Sequence, residues 1–241
     1  MDWMLAILIF ILLFLCYSVI PTVLIRRSGL NIVKNFNQKQ AVVLTFDDGP
    51  NPVYTEQLLD VLKKYQVKAT FFVLGSRVDQ YPEIVKRMHR EGHTIGIHHY
   101  RHVSSWLLSP LGLRNQLIRT EKAIYSCIQE YPDFYRPPWG HFNLATLFMA
   151  KKYRLIMWSD IFSDWRIDVC KSTLLQKLTA VTAEGSILLL HDCGKTLGAQ
   201  EEAPRYMIES LETYLKESKQ KGIHFISLRD QFKESEEIVA L

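Results

Sequence analysis

The chain has 241 residues, a length that accommodates one large domain and an appendage but leaves little room for two full domains. Its 48% hydrophobic and 22% charged residues exclude an intrinsically disordered chain and a membrane protein with many spans. The net charge of +4 is small, and basic residues are interspersed with acidic ones, so no nucleic-acid-binding surface is indicated.

The first predicted element is an apolar helix at the N-terminus. Residues 3–25 carry no charged side chain, and the run ends at Arg26 and Arg27. A helix of about 23 residues is roughly 34 Å long, enough to cross the hydrocarbon core of a bilayer. A cleaved signal peptide would carry basic residues before the apolar run and a small-residue cleavage site after it, and neither is present. We therefore predict a single-pass membrane anchor over residues 1–27.

The residues flanking this anchor bear on which side of the membrane the rest of the chain faces. Arg26, Arg27 and Lys34 follow the span, and by the positive-inside tendency they place the globular part in the cytoplasm. The four cysteines have no disulfide-like spacing, which points the same way because disulfides form mainly outside the cytoplasm.

After a predicted linker at residues 28–40, short apolar runs alternate with helical patterns. Seven such runs predict strands, at residues 41–46, 69–74, 94–97, 133–136, 155–158, 186–190 and 223–227. Stretches with apolar residues three or four positions apart separate them. This alternation predicts the α/β class, with a distorted barrel of about seven parallel strands that follows the N-terminal transmembrane helix. In such barrels the active site lies at the carboxyl ends of the strands.

Candidate metal ligands follow the first and third predicted strands. Asp47 and Asp48 lie in TFDDGP, and neighbouring carboxylates both stay ionised easily only near a cation. An Asp-rich turn is the other interpretation of this motif. His98 and His102 are four residues apart, and a helical turn would bring their imidazoles to one point. With Asp48 they would form a three-ligand site for zinc, or for a related divalent ion such as cobalt.

Polar residues also follow three later strands. Arg136 lies in RPPWG, Asp164 and Trp165 end the segment WSDIFSDW, and His191 with Asp192 ends GSILLLHD. Taken alone, His191 is slightly better interpreted as a hydrogen-bonded core residue. Polar groups at five strand ends of one barrel instead favour a shared site.

These motifs, TFDDGP, HxxxH, RPPxG, a segment ending in DW, and LxLHD, appear in an order that resembles the polysaccharide deacetylase family of NodB-type carbohydrate esterases. The resemblance covers about residues 41–232 and leaves residues 233–241 as a C-terminal tail. It implies an enzyme with a distorted barrel that hydrolyses N-acetyl, or sometimes O-acetyl, groups on polymers or glycoconjugates.

The resemblance also implies roles for the residues at the strand ends. Asp48, His98 and His102 correspond to the metal ligands. Asp47 corresponds to the base that takes a proton from water activated by the metal, and His191 to the acid that protonates the departing amine.

Supporting roles follow from the same resemblance. Arg136 corresponds to the arginine that holds the base in place, and Asp164 to the carboxylate that orients the acid and favours its protonated form. Trp139 offers a backbone amide to the oxyanion. Leu189 and Trp165 correspond to the pocket that receives the acetyl methyl group.

Three positions depart from the family pattern. His99 stands where the family usually has Ser or Thr, and Trp139 where it usually has Tyr. In the fourth motif, usually DxxDW, the first acid falls at Ile161, with Asp160 one place earlier. None of these changes removes a ligand, the base or the acid, so we expect activity.

Two other functions are alternatives to a deacetylase. A non-catalytic, sugar-binding relative would be expected to lose Asp47 or His191 first, and both are present. A two-metal phosphoesterase would need more bridging carboxylates than the chain places here.

The sequence is compatible with two classes of substrate. Family habit suggests N-acetylated glycans such as peptidoglycan or chitin-like polymers outside the cell, whereas the basic flank favours the cytoplasm. A cytoplasmic domain would act on a lipid-linked amino sugar, because the short linker would keep the site near the bilayer. No protein partner is predicted.

Overall fold

The computed structural model describes residues 3–239, in which nine strands form one curled, parallel sheet. The strands are β1 Ile32–Val33, β2 Ala41–Asp47, β3 Thr70–Val73, β4 Thr94–Ile97, β5 Phe134–Tyr135, β6 Arg154–Ile156, β7 Asp160–Ile161, β8 Glu184–His191 and β9 His224–Phe225. The α-helices are α1 Trp3–Phe14, α2 Ile20–Ser28, α3 Tyr54–Tyr65, α4 Gly75–Gln80, α5 Pro82–Arg90, α6 Pro110–Ile128, α7 Thr146–Met149, α8 Ile167–Ser172, α9 Leu174–Thr179, α10 Ala203–Gln220 and α11 Leu228–Val239.

The sheet is centred on β2 and β8, which pair along their whole length, from Ala41 with Glu184 to Asp47 with His191. The strand order is β1-β6-β5-β4-β3-β2-β8-β7, with β9 beside the first half of β2. Strand β6 pairs with β5 on one side of the sheet, and β7 pairs with β8 on the other. Because β6 and β7 are consecutive within residues 154–161, this segment draws the two sides of the sheet together. The predicted distorted barrel behind an apolar helix is confirmed.

The seven predicted strands are all present, but β1 and β7 were not predicted. Strand β1 lies in the predicted linker, pairs with β6 and is followed by a bridge between Asn35 and Ser186. The predicted linker therefore contributes a strand and a bridge to the sheet. Helix α11 continues into the predicted tail as far as Val239; residues 240 and 241 lie outside the described part of the chain.

Helices pack on the sheet through one apolar stripe each. In α3 the buried positions are Thr55, Leu58, Leu59 and Leu62, which recur at the spacing of one helix face. The strand β2 is buried along its entire length, as expected of a parallel strand covered on both faces. This core holds the carboxyl ends of β2, β4 and β8 in fixed positions.

The N-terminal apolar segment is one continuous helix from Trp3 to Ser28, with a π-helical turn at Leu15–Val19. Among the described residues it is the one helix long and apolar enough to cross a membrane, a test that a signal sequence also passes. Residues 1 and 2, the start of the predicted anchor, lie outside the described part.

Pro21 explains how this helix joins the rest of the fold. Proline lacks the N–H that would bond to the carbonyl four residues earlier, so the carbonyl oxygen of Tyr17 is left without its helical partner. The backbone N–H of Leu144 donates to that oxygen at 2.8 Å. The Tyr17 hydroxyl in turn donates to the carbonyl of Leu108 at 3.0 Å.

Thr22 makes the densest contact between the helix and the domain. Its hydroxyl donates to the Phe142 carbonyl at 2.6 Å and accepts from the Phe142 N–H at 2.9 Å and the Trp106 indole N–H at 2.8 Å. Ser18 and Ile25 lie on the same helix face and are also buried. The last turns of the apolar helix are therefore docked on the globular domain, which the sequence did not predict.

Thr22→Val is expected to destabilise the chain by about 1–3 kcal/mol, because it leaves the buried Phe142 N–H and the partly buried Trp106 indole N–H without this acceptor. Denaturant unfolding of the full chain in detergent micelles measures the change. The matched control is Thr213→Val, at an exposed position of α10, expected to stay within about 0.5 kcal/mol. Equal midpoints for the two variants would contradict the docked arrangement.

Candidate active site

A cavity of about 330 Å³ opens at the carboxyl ends of β2, β4 and β8. Its walls bring together residues from widely separated parts of the sequence. They are Asp47, Asp48, His98, His102, Trp139, Trp158, Ile161, Trp165, Leu189, His191 and residues 196–199. The remaining predicted site residues, Arg136 and Asp164, lie directly behind this lining.

The three predicted metal ligands converge on one point of the cavity. Asp48 Oδ1 is 3.4 Å from His98 Nε2 and 3.2 Å from His102 Nε2. One ligand atom from each residue lies within 4.8 Å of the others. Among the described residues, Asp48 Oδ1 is buried and has no hydrogen-bond partner. A buried acceptor without a donor, facing two imidazole nitrogens, fits a divalent cation that prefers nitrogen and oxygen ligands.

The protonation states of these groups also suit a metal. Burial raises the pKa of Asp48, but its contact with His98 and its electrostatic interactions with His102 and His191 outweigh burial and hold that pKa well below its usual range. Burial lowers the pKa of His102 to about 4, so its imidazole is neutral at pH 7. Metal ligation needs an ionised carboxylate and neutral imidazoles.

A backbone contact fixes the orientation of His98. Its Nδ1 lies 2.8 Å from the Arg136 carbonyl oxygen, which can only accept, so Nδ1 carries the proton and Nε2 presents its lone pair to the site.

The segment between His98 and His102 is a bend rather than the predicted helical turn, and His99 within it adopts a φ of 67°. His99 is buried outside the cavity, where its Nδ1 donates to the Val103 carbonyl at 2.9 Å and its Nε2 accepts from the Tyr135 hydroxyl at 2.6 Å. Burial lowers the pKa of His99 to about 3, so it is neutral. His99 therefore braces the loop that carries both predicted ligand histidines.

Asp47 is held by a fully buried arginine. Arg136 Nη1 donates to Asp47 Oδ1 and to the Thr45 hydroxyl, both at 2.8 Å, and Nη2 donates to the Met157 carbonyl at 2.8 Å. The second carboxylate oxygen of Asp47 lies 3.8 Å from His98 Nε2. One oxygen of Asp47 is thus anchored while the other faces the ligand group.

His191 and Asp164 form a second ion pair at the opposite wall of the cavity. Asp164 accepts from the His191 backbone N–H at 2.6 Å and from its Nδ1 at 2.9 Å. Burial lowers the pKa of His191, but the charge of Asp164 outweighs it and raises that pKa to about 10. The imidazole is therefore protonated at neutral pH, and the bond at Nδ1 leaves Nε2 for the cavity.

The chain is similar to known proteins in both sequence and structure. The family model described as "Polysaccharide deacetylase" matches residues 34–158. The chain belongs to the polysaccharide deacetylase family. The prediction of an enzyme of this class is confirmed, and the motifs that carried the resemblance lie at strand ends around one cavity.

Named relatives agree with this assignment. The chain is 34% identical over 201 residues to a peptidoglycan-N-acetylglucosamine deacetylase of Bacillus cereus, covering 83% of this chain and 70% of the relative. It is 36% identical over 199 residues to the peptidoglycan-N-acetylglucosamine deacetylase PgdA of Listeria monocytogenes, but spans only 40% of that protein. The structure of the peptidoglycan deacetylase PdaC from Bacillus subtilis superposes with a TM-score of 0.73 at 33% identity, covering 85% of this chain and 95% of that one.

Thr196 is a residue of this deacetylase's site that the sequence did not reveal. Its hydroxyl donates to Asp48 Oδ2 at 2.7 Å, so one oxygen of the carboxylate is held while Oδ1 faces the imidazoles. Thr196 lies in an irregular loop a few residues after LxLHD, and its position next to that motif is the one signal that pointed to it. Trp158 in the cavity wall was likewise missed.

Two acids near the motifs lie outside the cavity lining. Asp192 follows His191 but is buried against Gly49 and accepts a hydrogen bond from Thr55; burial raises its pKa to about 7. Asp160 lies in β7 and accepts from the Ser159 hydroxyl at 2.6 Å. The next residue of β7, Ile161, lines the cavity instead.

Proposed function

We propose that this deacetylase removes N-acetyl groups from the amino sugars of a glycan and that Asp48, His98 and His102 hold the divalent metal it uses. The observation that carries the proposal is the buried Asp48 Oδ1, which has no hydrogen-bond partner in the described part of the chain and faces two imidazole nitrogens. Two nitrogens and one oxygen suit zinc, with cobalt as the alternative. Such a metal polarises the carbonyl and lowers the pKa of water to about 7.

The chain's own groups supply the proton transfers. Asp47 accepts a proton from the water that attacks the amide carbon, since Arg136 anchors only one of its oxygens. His191, protonated at neutral pH, gives its Nε2 proton to the nitrogen as the carbon–nitrogen bond breaks. The products are acetate and a free amine.

The remaining predicted residues complete the proposed substrate site. Leu189 and Trp165 line the cavity next to His191 and supply an apolar wall for the acetyl methyl group. The Trp139 backbone amide is the proposed donor to the oxyanion. The rings of Trp139 and Trp158 offer flat surfaces for a sugar.

Acetate release from N-acetylglucosamine oligomers tests the proposal. The named relatives act on peptidoglycan N-acetylglucosamine, which makes this sugar the first choice. The full chain in detergent should release acetate with zinc or cobalt and lose that activity with chelator. Bound metal without release would contradict N-deacetylation of soluble glycans and favour either a non-catalytic sugar-binding protein or a lipid-linked substrate.

A lipid-linked amino sugar is the second candidate substrate, and one contact favours it. The Arg26 guanidinium of the apolar helix lies 5.7 Å from the ring centroid of Trp158, which lines the cavity. The apolar helix thus reaches the cavity wall. Faster turnover of a prenyl-linked N-acetylated sugar than of the free oligomer would select this candidate, and equal turnover would reject it.

Thr196→Val is expected to weaken metal binding by about 10–100-fold, because the Asp48 carboxylate loses the hydroxyl that orients it. Thr196→Ser keeps a hydroxyl and is the matched control, expected to bind metal like the unchanged chain. Competition with a chromophoric chelator measures the affinity. Unchanged affinity in the valine variant would show that Thr196 does not orient the ligand.

A further inference from the structure

The docked half of the apolar helix has a free side that is also apolar. Ser18, Thr22 and Ile25 face the catalytic domain and are buried. Ile20, Val23 and Leu24 lie on the other side and are exposed, with Leu24 at 61%. Docking therefore covers only one face of the helix, and water would meet the remaining aliphatic surface.

The two segments that receive the helix carry further exposed apolar side chains. Leu107 and Leu111 are 75% and 72% exposed, and Leu144 and Phe148 are exposed as well. We call these four side chains the apolar collar. They belong to the two segments that hydrogen-bond to the helix at Tyr17. An exposed apolar surface continuous with an apolar helix marks an interaction site.

The length of the helix identifies what covers this surface. Residues 3–16, which precede the docked part, form about 14 helical residues and extend roughly 21 Å, short of the roughly 30 Å hydrocarbon core. Residues 3–24 extend roughly 33 Å, which is sufficient. Placed across a bilayer, the described apolar run fills the hydrocarbon core when its docked turns are included, which puts the collar beside them at the level of the hydrocarbon.

The docking contacts also argue against removal of the helix as a signal sequence. Ile25 is part of the main hydrophobic core, and the Thr22 hydroxyl is the acceptor for the Phe142 N–H and the Trp106 indole. Cleavage after the helix would open that core and leave both donors without this acceptor. Arg26 and Arg27 follow the apolar run directly, at the depth where lipid headgroups attract cations.

Ring contacts connect the active site to the same surface. His102 contacts Trp139 with centroids 4.1 Å apart, and Trp139 lies 6.0 Å from His141. His141 stacks on Trp106 at 3.9 Å, and Trp106 contacts Phe14 of the apolar helix at 6.5 Å. Four successive ring contacts thus separate a ligand histidine from the membrane-facing helix.

We propose that the apolar collar and the free side of the docked helix lie in the hydrocarbon of a lipid bilayer, just below the headgroups. The active site then opens beside the membrane surface, at a height fixed by the docking contacts rather than by a flexible tether. A further consequence rests on the proposed function. The enzyme reaches amino sugars anchored in the same bilayer more readily than amino sugars of a polymer far from the membrane.

Depth measurements on single-cysteine variants test the proposal without relying on activity. Leu24→Cys, Leu107→Cys and Leu144→Cys each carry an environment-sensitive fluorophore in the full chain, reconstituted into phosphatidylethanolamine–phosphatidylglycerol vesicles. The control is Tyr131→Cys, an exposed position (62%) beyond the far end of α6; the helix from Leu111 to its last residue, Ile128, is roughly 26 Å long. Background labelling is removed by Cys16→Ala and Cys127→Ala, since Cys170 and Cys193 are buried.

The expected result is blue-shifted emission at positions 24, 107 and 144, with several-fold stronger quenching by lipids that carry a nitroxide on the acyl chain than at position 131. Quenching at position 24 alone would overturn the proposal for the collar. Blue-shifted emission at 107 and 144 without lipid quenching would show that another copy of the chain covers this face, and would overturn the bilayer as its partner. Metal binding and acetate release are independent of all these outcomes.

Discussion

Replacing Asp47 by Asn is expected to reduce turnover by roughly 10²–10⁴-fold while metal affinity stays near that of the unchanged chain. Asn keeps an oxygen that accepts from Arg136 Nη1, so the buried arginine retains a partner, but an amide cannot take a proton from water. Acetate release together with metal content by atomic absorption measures both effects.

Asp48→Ala is the paired comparison for this experiment. It removes the carboxylate that both imidazoles face, so metal and activity are expected to disappear together. If Asp47→Asn kept most of its activity, Asp47 would not be the base. If Asp48→Ala kept its metal, the proposed ligand set would be wrong.

Asp164→Asn is expected to have the second-largest effect, a loss of about 10²-fold in kcat at pH 8. The charge of Asp164 is what outweighs burial and raises the pKa of His191 to about 10. Without that charge, burial acts to lower the pKa, and His191 loses its proton as the pH rises through neutrality. The acid form, and with it turnover, should recover as the pH falls.

The pH dependence of kcat measures this change. In the unchanged chain, loss of the His191 proton should limit activity only near pH 10, whereas in the Asn variant this limb moves to lower pH. Asp168→Asn is the matched control, because Asp168 is an exposed acid paired with Arg166 and distant in role from His191. If the basic limb is unchanged in the Asp164→Asn variant, His191 is not an acid whose pKa is raised by Asp164.

The sequence by itself determined the parts of the protein that depend on local pattern. A continuous apolar run such as β2 predicts a strand, because a strand buried on both faces does not need apolar and polar residues to alternate. Asp47, Asp48 and His191 were found because each directly follows such a run, where parallel strands bring their ends to one edge. The motif order then indicated the family.

Only the tertiary structure decided the features that depend on distant partners. Strands β1 and β7 lie outside the apolar runs that predicted the other strands, and they exist because β6 and β8 offer hydrogen bonds to them. Thr196 reaches Asp48 from an irregular loop across a sequence separation of 148 residues. The bend that follows His99 brings the two proposed ligand histidines together without a helical turn.

The N-terminal helix shows the same division most clearly. Its apolar composition is a property of the sequence and predicted a span. Its docking is not, because Tyr17 and Thr22 bond to carbonyls and donors on loops that lie about 90 to 120 residues later in the chain. Polar groups within an apolar run must be hydrogen-bonded when buried, but only the folded domain determines which groups bond to them.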